Sequence, residues 1–373
     1  MAIGSAQSGE LRANGQSRQR ESCDVLVVGL GPAGAAAAAE AASRGARVIA
    51  LDRKTNAGIP VQCAEFVPRM LDLEIADLSS ARRQAITSMA TFVEAAAPAI
   101  EPHFPGVMID RAAFDAGLVA RAKARGAQCR FATCLRSLDA SGNAELSDGV
   151  SIAAHVVIGA DGPRSRVGSA VGAPNTEVVE TRQITVPLLQ PFGATDIFLS
   201  AGIPGGYAWL FPKGEFGNLG LGVAPEWRAM LKPLLDDLQA RLKEEGRIGA
   251  EICGHTGGAI PVGGMRRLVS RIGARTVLLA GDAAGLANPV TGAGIASAVV
   301  SGREAGAAAA RLIKGNEAAA DTYAEEMEAL FGPSLERALA RRRSLMEIHK
   351  SGGAPTEADL KRGWIAFPEY WAA

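Results

Sequence analysis

Three glycines and an aspartate carry the first chemistry that can be read from the chain. Gly29, Gly31 and Gly34 form a GxGxxG between an apolar run, Val25 to Val28, and an alanine-rich stretch ending near Ser43. A second apolar run, Val48 to Leu51, then ends in Asp52. The order is strand, glycine turn, helix, strand, acid, within about 30 residues, the length of a dinucleotide-binding unit. Glycines at these positions let the backbone approach a pyrophosphate, whose charge rests on the helix N-terminus. Asp52 is spaced to accept hydrogen bonds from a ribose 2′-hydroxyl, which disfavours a 2′-phosphate and hence NADP at this turn. The other reading is a glycine-rich turn in an unrelated α/β protein, and FAD and NAD remain open on this motif.

Later segments repeat the pattern of an apolar strand ending in a small residue and an acid. Residues 156–166 read VVIGADGPRSR and place Asp161 after a strand, with Arg164 beyond. Residues 276–295 read TVLLAGDAAGLANPVTGAGI and place Asp282 in the same position before a second glycine-rich entry to a helix. Between the units, residues 110–126 form a helix that begins at Arg111, with Phe114, Leu118 and Ala122 at helical spacing. Tyr207, Trp209 and Phe211 alternate in YAWLF, so on a strand they share one face. Asn218 to Val223 is the expected partner strand. The aromatic face is either a wall for an apolar ligand or the core of a second domain. Residues 226–246 read as an amphipathic helix packed on the other face.

Composition narrows the classes further. In 373 residues, Lys+Arg and Asp+Glu both number 39, so no net field draws the protein to nucleic acid, and membrane contact is at most peripheral. Glycine, at 44 residues, is about 12% of the chain against a typical ~7%. Five cysteines without a CxxC pair argue against a disulfide framework or structural zinc, and fit a reducing cytoplasm. The four histidines show no metal-binding spacing. The uncharged run Ala283 to Gly302 is too polar for a membrane span. The polar residues 1–21 are expected to be a disordered leader.

The ordered set of GxGxxG with its acid, ADG and GDAAG resembles the p-hydroxybenzoate hydroxylase superfamily of FAD enzymes. Within it, PVQCAEFVP (60–68), PGGYAWLFPKG (204–214) and GDAAGLANPVTGAGI (281–295) resemble the geranylgeranyl reductase family. The resemblance covers roughly residues 22–330. It implies an α/β fold with a Rossmann-like FAD domain from 22–74, 104–174 and 254–330. An inserted antiparallel-sheet substrate domain would take 75–103 and 175–253, and a helical tail 331–373.

Carried over residue by residue, the resemblance puts Gly29, Gly31, Ala33 and Gly34 under the FAD pyrophosphate. Asp52, with Arg53 beside it, falls at the adenosine ribose, Arg111 at the phosphates or ribitol, and the backbone of Leu135 at adenine. Asp282 would meet a ribitol hydroxyl, for which the plain alternative is a helix N-cap. Gly294 and Ile295 would offer N–H groups to the isoalloxazine edge. Asp161 would lie beside the flavin, or merely cap a turn, with Arg164 paired to a surface acid. Cys63, Ala64 and Phe66 belong to a segment that crosses the flavin next to the substrate. Phe66 stands where the family usually has glycine, which narrows the cavity.

Cys63, Tyr207 and Trp209 are the catalytic candidates. The Cys63 thiol is either a proton donor to the substrate or a small buried apolar group. The implied activity is reduction of isoprenoid C=C bonds by FAD, itself reduced by NAD(P)H or a ferredoxin-like donor. The alternative keeps the fold and makes the protein a monooxygenase of an aromatic ring, including a tryptophan on a partner protein. A third is an electron-transfer or assembly partner docking through its tail. Arg337, Arg341, Arg342 and Arg343 either meet a phospholipid headgroup or diphosphate, or form a solvated helix face. The terminal aromatics Trp364, Phe367, Tyr370 and Trp371 either cap the substrate tunnel or dock a partner.

Overall fold

The structure is a computed structural model that describes residues 20–69 and 78–372; most of the expected leader lies outside the described residues. A mainly parallel sheet is built from segments far apart in sequence. Its order is Val269–Ile272, Arg275–Leu279, Ser151–Gly159, Arg20–Val28, Val48–Leu51, Gln128–Arg130. Arg20–Val28 pairs in parallel with Ser151–Gly159 on one side and Val48–Leu51 on the other, and Ser151–Gly159 pairs in parallel with Arg275–Leu279. Strands buried on both faces must be continuously apolar, which is why VLVV, VIAL, VVIG and TVLL recur. Their carboxyl ends reach one edge, so Gly29, Asp52, Asp161 and Asp282 emerge side by side, the crevice where open α/β sheets bind ligands.

The alanine-rich helix Pro32–Ser43 is buried along most of its length between this sheet and the helix Ile295–Leu312. The two helices approach so closely that a Cβ on Gly302 would lie 2.0 Å from the Ala33 carbonyl oxygen. Small residues are what that spacing demands.

The second sheet runs Gly254–Thr256, Val178–Pro187, Phe216–Val223, Ala208–Lys213, Ala194–Leu199, Ser88–Val93, Ala99–Glu101. All its pairings are antiparallel except Ala194–Leu199 with Ser88–Val93. Both Gly254–Thr256 and Ala259–Pro261 pair with Val178–Pro187, so this sheet extends past the boundary expected at residue 254. Ala208 and Leu210 face one side and pack on the helix Leu231–Glu244, whose Leu231, Leu235, Leu238 and Leu242 are buried. Trp209 and Phe211 face the other side. Period-two alternation thus sorts the sheet into a packed face and a cavity face. A small third sheet, Phe66–Pro68, Gly106–Ile109 and Arg82–Ile86, bridges the two halves.

The tail does not begin at 331. One helix spans Ala319–Lys350 and accommodates Pro333. Its Tyr323, Met327, Phe331 and Leu335 join the core of the FAD-type domain, with Tyr323 donating to the Leu279 carbonyl at 2.6 Å. The chain then returns so that Leu360, Trp364 and Phe367 bury against Trp209, Phe211 and Ile197. Of the terminal aromatics, Trp364, Phe367 and Tyr370 are buried and Trp371 stays exposed. Among the described residues no helix is long and apolar enough to cross a membrane.

Candidate active site

One cavity of about 510 Å³ runs along the carboxyl edge of the parallel sheet and under the aromatic sheet face. Gly29, Gly31, Ala33, Asp52, Arg53, Arg111, Leu135, Asp161, Asp282, Gly294 and Ile295 line it, as do Cys63, Ala64, Phe66, Tyr207 and Trp209; Gly34 lies in the helix behind the turn. At the turn, Gly29 has φ +99°, and a Cβ on Gly34 would sit 1.8 Å from the Gly29 carbonyl oxygen. Nothing lies within 4 Å of a Cβ built on Gly31. That empty cradle at a helix N-terminus fits a pyrophosphate. The carboxylate of Asp52 accepts from the Leu30 and Lys54 N–H groups, both at 2.8 Å, and so braces the turn from beneath. Each oxygen keeps a further lone pair for a ribose hydroxyl.

Asp282 faces the cavity beside the helix entry at Gly294, and among the described residues no hydrogen-bond donor reaches its carboxylate. Burial pushes its carboxyl up to about 6 from an ordinary 3.8, with Arg111 pulling the other way. A half-buried acid facing the ligand space, its carboxylate free of protein donors among the described residues, fits a hydroxyl-bearing ligand, as ribitol is. The first-turn N–H groups that follow Gly294 have no intrahelical acceptors and suit a developing negative charge.

The raised carboxyl makes a stability prediction. A folded-state value above the unfolded one favours folding below about pH 4, and that advantage is lost as pH rises through 6. At pH 8 the ionised Asp282 therefore costs on the order of 2–3 kcal/mol in the FAD-free protein. Asp282→Asn apoprotein is expected to melt above the wild type at pH 8 and together with it at pH 4. A gap independent of pH would refute this origin.

The remaining expected contacts are placed as follows. Asp161 accepts from Ser165 Oγ at 2.5 Å and from the Arg166 N–H at 2.7 Å, so it ties a turn while lining the cavity; burial nonetheless raises its pKa. Arg164 pairs with Glu180 and is largely exposed. The Leu135 carbonyl is taken by Arg166 Nη1 at 2.7 Å. Arg111 is bound bidentately by Asp115, Nε to Oδ1 at 2.7 Å. Burial opposes its charge, but Cys63 and Asp115 outweigh that and hold its pKa above the ordinary value.

The segment Cys63–Phe66 crosses the cavity and is pinned by residues that sequence reasoning missed. Cys63 Sγ accepts the Glu65 N–H at 3.1 Å, a contact made because Glu65 adopts φ +68°. The carbonyl of Cys63 accepts from Gln183 Nε2 at 3.3 Å and that of Ala64 from Asn218 Nδ2 at 3.1 Å. Gln183 in turn accepts from Trp209 Nε1 at 3.1 Å. The buried Glu65 carboxylate accepts the Arg111 N–H at 3.0 Å, Asn218 Nδ2 at 3.0 Å, and Lys213 Nζ. It joins the two halves of the molecule. Asn218, the lone polar side chain in FGNLGLGV, was the available signal; Gln183 sits among other polar residues in VVETRQITVP and gave none.

Aromatic rings wall the rest. Tyr207 lies 4.7 Å from Trp364 and 5.6 Å from Trp209, and Phe66 lies 5.6 Å from Phe211 and 5.9 Å from Phe104, centroid to centroid. Phe66 therefore occupies cavity space that a glycine would leave open. The Tyr207 hydroxyl donates to the Thr291 carbonyl at 2.6 Å, and burial, with Cys63 adding to it, pushes its pKa up, so the phenol stays protonated.

Residues 22–190 match the FAD binding domain family. The chain is 34% identical over 348 residues to digeranylgeranylglycerophospholipid reductase 2 of Methanopyrus kandleri, covering 87% of each. A geranylgeranyl bacteriochlorophyll reductase-like protein from Thermoplasma acidophilum superposes with a TM-score of 0.79 at 25% identity, over 94% of this chain and 98% of that one. A probable FAD-dependent monooxygenase from Pseudomonas aeruginosa reaches 0.68 at 17% identity, over 89% and 99%, which is a likeness of fold alone. The relationship in sequence lies with the reductases.

Proposed function

Because this chain belongs to the geranylgeranyl reductase family of FAD-dependent oxidoreductases, we propose that it saturates carbon–carbon double bonds in the isoprenoid chains of a lipid. The observation that carries this reading is the aromatic cavity, continuous with the dinucleotide turn and closed over by the tail. Such a wall holds an extended apolar chain and excludes water. FAD, when bound and reduced, supplies the hydride.

The residues do the rest. Gly31 and the helix behind it hold the pyrophosphate, and Asp52 and Asp282 fix the sugar and ribityl hydroxyls. Tyr207, Trp209 and Phe211 orient the chain. Cys63 supplies the proton to the neighbouring carbon, which balances the hydride. Support for Cys63 is its place on the cavity wall and its sulfur, held by the Glu65 N–H. The electron donor is NAD(P)H or a ferredoxin-like protein in transient contact. All five cysteines are free, in keeping with the cytoplasm.

The test mixes anaerobically reduced holoenzyme with a digeranylgeranyl lipid and, separately, with oxygen and an aromatic substrate. Reoxidised flavin and a product richer by two hydrogens per bond are expected, and Cys63→Ala is expected to abolish both. Indifference to the lipid, with oxygen consumed and an aromatic ring hydroxylated, would move the protein to the monooxygenases.

A further inference from the structure

Arg342 is a cation in an unusual place. It is only 8% exposed, it lines the cavity, and it sits on the helix Ala319–Lys350 under the glycine bend that leads into Tyr207. Among the described residues its side chain makes one hydrogen bond, from Nη1 to the Gly205 carbonyl. Among the described residues no carboxylate lies within ion-pair distance. Glu177 is engaged by Arg343 at 3.1 Å, and Glu226 acts only from a distance. Burial pushes the guanidinium down to about 10.

The neighbouring arginines are accounted for differently. Arg341 donates to the Tyr370 and Ala372 carbonyls, and Arg337 lies over the Trp371 ring. Along the cavity, Arg111 and Arg164 are matched by Asp115 and Glu180, and Arg53 and Arg166 are open to bulk water. A buried charge without a counter-ion is costly, and a guanidinium has five donors arranged as a fork that suits phosphate.

We propose that Arg342 is a binding residue for a phosphate or diphosphate group entering the cavity beside Gly205 and the tail. The inference rests on the reductase reading and adds to it the side chain that meets the phosphate. Two sources share this chemistry, the headgroup of the prenyl substrate and the phosphates of a nicotinamide donor.

The experiment compares wild type, Arg342→Gln and Arg342→Lys holoenzymes on geranylgeranyl diphosphate and on neutral geranylgeraniol, reduced by dithionite or by NADPH. With dithionite, Arg342→Gln is expected to raise KM for the diphosphate about tenfold to a hundredfold, the loss of a charge-assisted hydrogen bond, with KM for the alcohol unchanged. Arg342→Lys should recover part of the loss. A defect seen only with NADPH assigns the group to the donor instead. Equal defects on both substrates would overturn the proposal and leave Arg342 as a clamp on the Gly205 bend.

Calorimetry keeps the question open to decision if neither substrate turns over, an outcome that would sink the reductase reading alone. Wild-type holoenzyme, its FAD site filled, should bind inorganic pyrophosphate, and Arg342→Lys should retain binding that Arg342→Gln loses. Should Arg342→Gln not fold, a wild type that fails to bind pyrophosphate still refutes the site.

Discussion

Gly31→Val is expected to give a folded, colourless protein. Gly31 has φ −72°, a value any residue adopts, and a Cβ there meets no protein atom within 4 Å. The substitution therefore costs the apoprotein little, and a shift in Tm of more than a few degrees is not expected. The space it fills is the one that a pyrophosphate needs, so FAD should not be retained on purification. Gly34→Val supplies the contrast. Its Cβ would collide with the Gly29 carbonyl at 1.8 Å and pry the helix from the turn, so loss of fold should precede any question of cofactor. Far-ultraviolet circular dichroism and flavin absorbance separate the two. Retention of stoichiometric FAD by Gly31→Val would mean that the cofactor lies elsewhere.

That pair shows why the dinucleotide half of the protein is legible in sequence. The steric demand on Gly34 acts through the Gly29 carbonyl within six residues, Gly29 itself holds φ +99°, and the strand, turn and acid follow one another in the chain. Asp282 is readable for the same reason, since TVLLAGD is itself a strand and its end. YAWLF is readable because a period of two has one consequence on a strand, and the structure divides Ala208 and Leu210 from Trp209 and Phe211 accordingly.

The interactions that join the halves have no such signature. Arg342 looks like one charge in a basic run, LARRRS. Yet Phe331, Leu335, Ala338 and Arg342 recur at helical spacing and all four are buried, which is the pattern that singles it out. The strands at 254–261 fell on the wrong side of the expected boundary because short edge strands carry no periodicity of their own. The helix from Ala319 was split at 331 because composition changes there while the fold does not.

Glu65 is the extreme case, and its removal should have the largest effect on turnover outside the cofactor turn and Cys63 itself. Its partners Arg111, Lys213 and Asn218 lie 46, 148 and 153 residues away. Deleting the carboxylate in Glu65→Ala leaves Lys213 and the Arg111 N–H without that acceptor, takes one of two acceptors from Asn218, and loosens the segment that carries Cys63. Breaking a buried ion pair costs about 3–5 kcal/mol. Lys213 retains access to water, its side chain being 25% exposed, so roughly 2–3 kcal/mol is expected here. Glu65→Gly removes the same carboxylate but relieves a left-handed backbone, φ +68°, that costs a side-chain-bearing residue about 1 kcal/mol. It should therefore be the more stable of the two. Turnover orders the variants differently. Misplacing a reacting group by about 1 Å costs about a hundredfold, so both should lose turnover at saturating substrate on that scale, the glycine variant no less than the alanine. Glu65→Gln keeps an oxygen for the Arg111 N–H and should fall least. If the glycine variant were as active as wild type, the carboxylate would have no part in holding Cys63, and the backbone turn alone would suffice.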